Sequence, residues 1–175
     1  MGTRSLRIKS LFAALVAIGM SGVVQAQKAE IMIGFVNPTT GVFGSLGKYA
    51  RKGMDLALEQ AQKNPAFKDV TFKVIERDSS AKTADAIRYA RELTNRDQVD
   101  VLMGGLSSAE CLSLQKLAAE IQIAYLPTSG CWADEFSDAS SVNKYSFRVT
   151  ASNRQRNQAF AGWLVRQLTG LEVAR

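Results

Sequence analysis

The chain predicts an α/β fold, a doubly wound parallel sheet with helices on both faces, and three observations carry that expectation. Beyond residue 29, short runs rich in Val, Ile, Met and Phe alternate strictly with longer segments of helical period. The first run, Glu30 to Val36, hardly alternates between polar and apolar residues, as a strand covered on both faces would not. Each run closes on a cluster of Gly, Pro, Asn or Ser that can turn the chain, and no internal repeat interrupts the order.

The first 26 residues stand apart. Arg4, Arg7 and Lys9 precede an uncharged, mostly apolar stretch from Leu11 to Val24, and Val24-Gln25-Ala26 supplies the small residues of a cleavage site. The pattern predicts a cleavable signal peptide over 1–26, with the mature protein starting at Gln27. The apolar stretch is shorter than the roughly 20 residues that span a bilayer, and no cysteine sits at the cleavage point to carry a lipid. The leader holds three of the basic residues, so the formal charge falls from +6 to +3 over the remaining 149 residues. Those basic residues are scattered, which argues against a nucleic-acid partner.

The elements follow in order. The strand at 30–36 leads to a long loop, Asn37 to Gly47, with Pro38, Gly41, Gly44 and Gly47 among threonines and an apolar Phe43. A helix over 48–62 turns Tyr49, Met54, Ala57, Leu58 and Ala61 to one face, and Asn64-Pro65 ends it. A second strand, Val70 to Glu76, is followed by Ser79-Ser80-Ala81 and a helix capped by Thr83, with Ala86, Ile87, Ala90 and Leu93 inward. The third strand is 99–103, the third helix about 108–122, and the fourth strand 123–126, stopped by Pro127. A polar loop then leads to a half-buried edge strand, 145–150, and a last helix, 153–168, whose Phe160, Leu164 and Leu168 point inward. Residues 171–175 read as the approach to a further strand.

With strand order second, first, third, fourth, fifth, ligands belong at the carboxyl ends of the first and third strands. Three loops meet there: 37–47, 104–108 and 127–131. Ser107 and Ser108 stand before a helix whose first-turn N–H groups suit an anion or a carboxylate. Our reading is a serine that caps this helix and also offers its hydroxyl to a ligand. Phe43 and Leu46, like Trp132 after Cys131, serve equally as lids on the core or as an apolar wall for a ligand.

Catalysis is disfavoured. Histidine is absent, so a nucleophile elbow read from Gly105-Leu106-Ser107 lacks its base. The glycines at 41, 44 and 47 do not match a dinucleotide fingerprint, and Glu76 and Asp78 lack the partners of a metal site. No cofactor and no metal ligand is expected; Glu76 and Asp78 read as solvated loop charges. The cysteines, Cys111 and Cys131, are chemically free to form a disulfide in an oxidising compartment. Helical spacing of Cys111, Leu114, Ala118 and Ile121 instead makes Cys111 a small buried hydrophobe.

Ile31-Met32-Ile33-Gly34, Thr40-Gly41, Gly44 to Gly47, Val101 to Gly105 with Ser107-Ser108, Leu126-Pro127-Thr128-Ser129 and Phe147-Arg148 occur in the order of a known family. The chain resembles the leucine/isoleucine/valine (type I) solute-binding proteins that feed ABC importers, from Ile31 to about Leu168. The resemblance implies a lobe of a periplasmic binding protein, residues 27–170, with 171–175 starting the crossover to a second lobe. It implies that Ser108, beside Ser107, binds a ligand carboxylate through its hydroxyl and N–H. It also implies that Thr128, with Ser129, supplies a backbone contact, and that Leu46 packs on the ligand. Gly130 departs from the pattern, standing where amino-acid binders place a threonine for ammonium and carboxylate. The cysteines that many members carry after the second and third strands are replaced by Ser79-Ser80-Ala81 and Ser107.

The implied function is the extracytoplasmic component of an ABC importer, taking a small amino-acid-like, carboxylate or amide solute in an interlobe cleft. Its partners would be that solute and an inner-membrane permease. A receptor or two-component sensing domain, or a truncated lobe without transport activity, are the alternatives.

Overall fold

The computed structural model describes residues 29–128 and 130–169. The expected leader, Ser129 and the crossover at 171–175 lie outside them. Strand β1 (Ala29–Asn37) pairs in parallel with β2 (Val70–Asp78) on one side and β3 (Val101–Gly104) on the other, and β3 pairs in parallel with β4 (Ala124–Pro127). The order is β2-β1-β3-β4, the first four places of the order assumed above.

Helices cover both faces because the central strand is apolar on both. Ile33 and Phe35 of β1 pack with Met54 of helix α1 (Gly44–Lys63). Val36 turns the other way, into a larger core with Ala86, Ala90 and Leu93 of α2 (Thr83–Asn95) and Cys111, Leu114, Leu117 and Ala118 of α3 (Ser108–Ile121). The connection after β1 therefore goes to one face and the connection after β3 to the other, which opens a crevice between their carboxyl ends.

Four local expectations change. The loop after β1 is short: a 3-10 turn, Gly41–Phe43, runs directly into α1, so Gly44 and Gly47 are helical. Only Gly41 of the three takes positive φ, and Gly47 is small because the Pro38 carbonyl lies where a Cβ would go. Lys82, with no side-chain bond, occupies the cap position of α2 in place of Thr83; Ser80 and Ala81 in left-handed conformation deliver the chain there, and the Ser79 hydroxyl accepts from the Ala81 N–H. The expected fifth strand is reduced to one parallel bridge, Tyr125 to Ser146, held by the Tyr125 N–H to Tyr145 carbonyl and Phe147 N–H to Tyr125 carbonyl bonds.

The fourth change is the largest. Helix α4 (Asn153–Thr169) does not bury Phe160 or Leu168, which are 59% and 75% exposed. Periodicity marks a stripe that needs cover; it does not supply the covering surface. Phe160 instead packs on Trp163, with ring centroids 5.9 Å apart. No helix among the described residues is long and apolar enough to cross a membrane.

Candidate ligand-binding site

The crevice is built from three backbone segments. The first is the turn after β3, where Gly104 (φ +118°) and Gly105 (φ +74°) reverse the chain. A Cβ on Gly104 would lie 1.8 Å from the Val36 carbonyl oxygen, so only glycine lets β3 end this close to β1. The buried Tyr125 hydroxyl donates to the Gly104 carbonyl at 3.0 Å and fixes the turn from below.

Helix α3 starts from that turn with a capping box. The Ser107 hydroxyl accepts from the Glu110 N–H at 3.2 Å, and Glu110 Oε2 in return accepts from the Ser107 and Leu106 N–H groups, each at 3.2 Å. Glu110 is fully buried, and its Oε1 accepts from the Ser79 hydroxyl at 2.6 Å. The carboxylate thus ties the turn after β3 to the turn after β2. The two serines divide the expected roles: Ser107 caps, while Ser108 opens the helix. Among the described residues no acceptor takes the N–H of Ser108 or Ala109, and none bonds the Ser108 hydroxyl. Two N–H donors and a hydroxyl at a helix N-terminus form a seat for negative charge.

The second segment is the turn after β1. Asp78, at the end of β2, accepts from the Thr39 N–H (2.8 Å), the Thr40 hydroxyl (2.5 Å) and the Ser80 N–H (2.8 Å). Burial alone would raise this carboxyl, but the hydrogen bonds from Thr40, Ser80 and Thr39 outweigh it and hold the group well below the usual carboxylate range. Glu76 accepts from the Asn37 side-chain amide at 3.0 Å and pairs with Arg51 at 3.3 Å. Both acids, expected to be solvated loop charges, are structural acceptors that set the path leading to Phe43 and Leu46.

The third segment follows β4. A Cβ on Gly130 would sit 1.3 Å from the Leu106 carbonyl oxygen, so this backbone rests directly on the turn after β3. Arg148 organises what comes next, donating to the Cys131 and Ala133 carbonyls and to the Ser137 hydroxyl. The buried Gln115 of α3 adds a bond to the Phe136 carbonyl at 2.8 Å. Trp132 projects from this loop, 42% exposed, with the Arg156 guanidinium 4.1 Å from its ring centroid.

Together the segments enclose a cavity of about 370 Å³ lined by Phe43, Leu46, Leu106, Ser107, Ser108, Gly130 and Trp132. Four of the residues singled out in the sequence, Leu46, Ser107, Ser108 and Gly130, meet here, as do the ambiguous Phe43 and Trp132. Thr128 is not in the lining: its N–H is donated to the Gly104 carbonyl at 3.3 Å and its hydroxyl faces the Gly105 carbonyl at 3.5 Å. Ser129 lies outside the described residues. Cys111 and Cys131 are buried free thiols below the same turn. Glu110 was missed as a site residue, although Ser107-Ser108-Ala109-Glu110 is a legible capping box.

The apolar crevice lies at the switch point of an open parallel sheet, where such folds hold small molecules. The family model for periplasmic binding proteins matches residues 30–174, and the chain belongs to that family. A Leu/Ile/Val-binding protein homolog 7 of Brucella melitensis is 26% identical over 137 residues, which are 78% of this chain and 34% of that relative. An ABC transporter substrate-binding protein from Sphaerobacter thermophilus superposes with a TM-score of 0.72 at 24% identity, over 81% of this chain and 37% of its own. A solute binding protein from R. palustris, solved in complex with benzoate, gives 0.69 at 21% identity over 82% and 38%. The chain thus spans about a third of the length of the curated relatives it matches. Its family and its structural neighbours are binding proteins, and the family is one of extracytoplasmic location.

Proposed function

We propose that this chain is the amino-terminal lobe of the solute-binding component of an ABC importer. In this reading it is exported to the periplasm by cleavage after Ala26 and binds without catalysis or cofactor. Its solute is a small carboxylate with an apolar, preferably aromatic, body, delivered to an inner-membrane permease. The observation that carries the reading is the pairing of the Ser108 donors at the start of α3, which no described residue takes up, with apolar walls of Phe43, Leu46, Leu106 and Trp132. The donors suit a carboxylate and the walls suit a flat apolar group.

An α-amino acid fits less well. Among the described residues no acidic side chain lines the cavity to balance an ammonium group, and Gly130 brings no hydroxyl. The close approach of Gly130 to the Leu106 carbonyl leaves no room for the threonine that amino-acid binders place there. The solved neighbour holding benzoate is consistent with this preference.

Calorimetry tests it on the full coding product, read past Arg175 for the second lobe. Benzoate binds more tightly than leucine, and Ser108→Ala weakens benzoate by about 1–3 kcal/mol, the loss of a buried hydrogen bond to a charged group. Leucine binding the tighter of the two would reject the aromatic solute, and an unchanged Kd in Ser108→Ala would reject the seat. A stop codon directly after Arg175 would leave half a cleft and withdraw high-affinity transport.

A further inference from the structure

The sequence left two fates open for Cys111 and Cys131, and their surroundings favour one of them. Cys111 sits in the first turn of α3 with its thiol 3.6 Å from the Gly105 carbonyl, and Cys131 sits in the loop that Gly130 presses onto Leu106. Both side chains are wholly buried in one core cluster, on two segments that meet where the backbone at Gly130 rests on the Leu106 carbonyl. They are the two cysteines of the 175 residues.

We propose that Cys111 and Cys131 close a disulfide that fastens the Gly130–Trp132 wall of the cleft to the helix seating the ligand carboxylate. The bond joins two of the three segments that line the cavity, and it closes a loop containing β4. The oxidant is an external disulfide, either glutathione disulfide or that of a thiol oxidase. One cysteine thiolate attacks a sulfur of this disulfide and expels a thiolate. The other cysteine thiolate then attacks the protein sulfur of the mixed disulfide and expels the second. Two cysteine thiols are oxidised to one disulfide, the external disulfide is reduced to two thiols, and the two cysteine protons end on those leaving groups.

Timing follows from burial. In the folded protein the Cys131 thiol beside Cys111, and then burial, push the Cys111 thiol far above its usual range, so the reactive thiolate is scarce once the core has closed. Exchange therefore belongs to the folding chain, before Tyr125 and Leu114 seal the site.

The test does not depend on export. The whole chain is reduced, unfolded, refolded in a mixture of reduced and oxidised glutathione, and alkylated after denaturation. The expected product is monomeric, about 2 Da lighter than the reduced chain and unlabelled, with Cys111 and Cys131 peptides linked. Reduction lowers its Tm by about 5–10 °C. Cys131→Ala takes up one label, and its Tm no longer responds to reductant. Two labels on the folded unsubstituted chain across the glutathione series, a glutathione adduct in place of the bridge, or a disulfide between copies would each overturn the proposal.

Discussion

Two walls of the cleft are each held by a carboxylate, and the two carboxylates work in opposite surroundings. Glu110 is wholly buried and takes four hydrogen bonds, from Ser79, from the Leu106 and Ser107 N–H groups and from the Ser107 hydroxyl. Asp78 gathers Thr39, Thr40 and Ser80 at a partly wetted edge of the sheet. The same device, an acid collecting the donors of a neighbouring loop, should therefore carry different energy. Where water cannot replace a lost acceptor, the donors stay unpaired; at the edge, water takes its place.

The largest expected effect is at Glu110. Glu110→Ala leaves the Leu106 N–H and the Ser79 hydroxyl without an acceptor inside the core and opens a small void. A loss of about 2–4 kcal/mol in urea unfolding is expected. Glu110→Gln sharpens the point, because an amide oxygen at the Oε2 position still serves Leu106 and Ser107 while its NH₂ can donate to the Ser79 hydroxyl. That variant should lose about 1 kcal/mol. If Gln costs as much as Ala, the negative charge matters more than the hydrogen-bond count, and the comparison with Asp78 must be redrawn.

This contrast also explains what could be read from the sequence. The alternating elements and the three loops follow from hydrophobic period and turn residues, which are local signals, so Leu46, Ser107 and Ser108 were legible from the sequence once a strand order was taken, and Gly130 through the family resemblance. The capping-box half of Glu110's role is local and legible, but the long-range half of each carboxylate's role is not, because Glu110 meets Ser79 across 31 residues and Asp78 meets Thr40 across 38. An acid at the end of a helix or strand has the same local sequence whether water or a distant side chain meets it. The exposed stripe of α4 is the converse case. Phe160 and Leu168 announce burial by period, yet burial is a property of two surfaces, and period describes one.

Asp78 supplies the next effect and its pH dependence. Asp78→Asn removes the charge-assisted part of its bonds to Thr39, Thr40 and Ser80 and should cost about 1 kcal/mol at neutral pH. The folded-state pKa is depressed below the unfolded value, so the stabilisation is fully present above the unfolded carboxylate pKa of about 3.9. It is lost as pH falls through the folded value. The stability gap between the unsubstituted protein and Asp78→Asn should therefore stay constant from pH 7 to about 4 and shrink below that. A gap that narrows already near pH 6 would assign the pH dependence to another group.

The smallest effect isolates a single donor of the same cluster. Thr40→Val keeps the side-chain shape and the Thr40 N–H but deletes the hydroxyl that donates to Asp78 at 2.5 Å and touches the Ser80 hydroxyl at 2.9 Å. Thr40 is exposed, so water can take the vacated place on the carboxylate, and the expected loss is about 0.5 kcal/mol or less. The Asp78 pKa should rise only part of the way to its ordinary value, because the Thr39 and Ser80 N–H groups remain. Carbon-detected NMR titration of the Asp78 carboxyl reads that shift directly. Full recovery of an ordinary pKa would mean that the hydroxyl alone holds the charge, and the turn leading to Phe43 and Leu46 would then hang on one side chain rather than on the backbone.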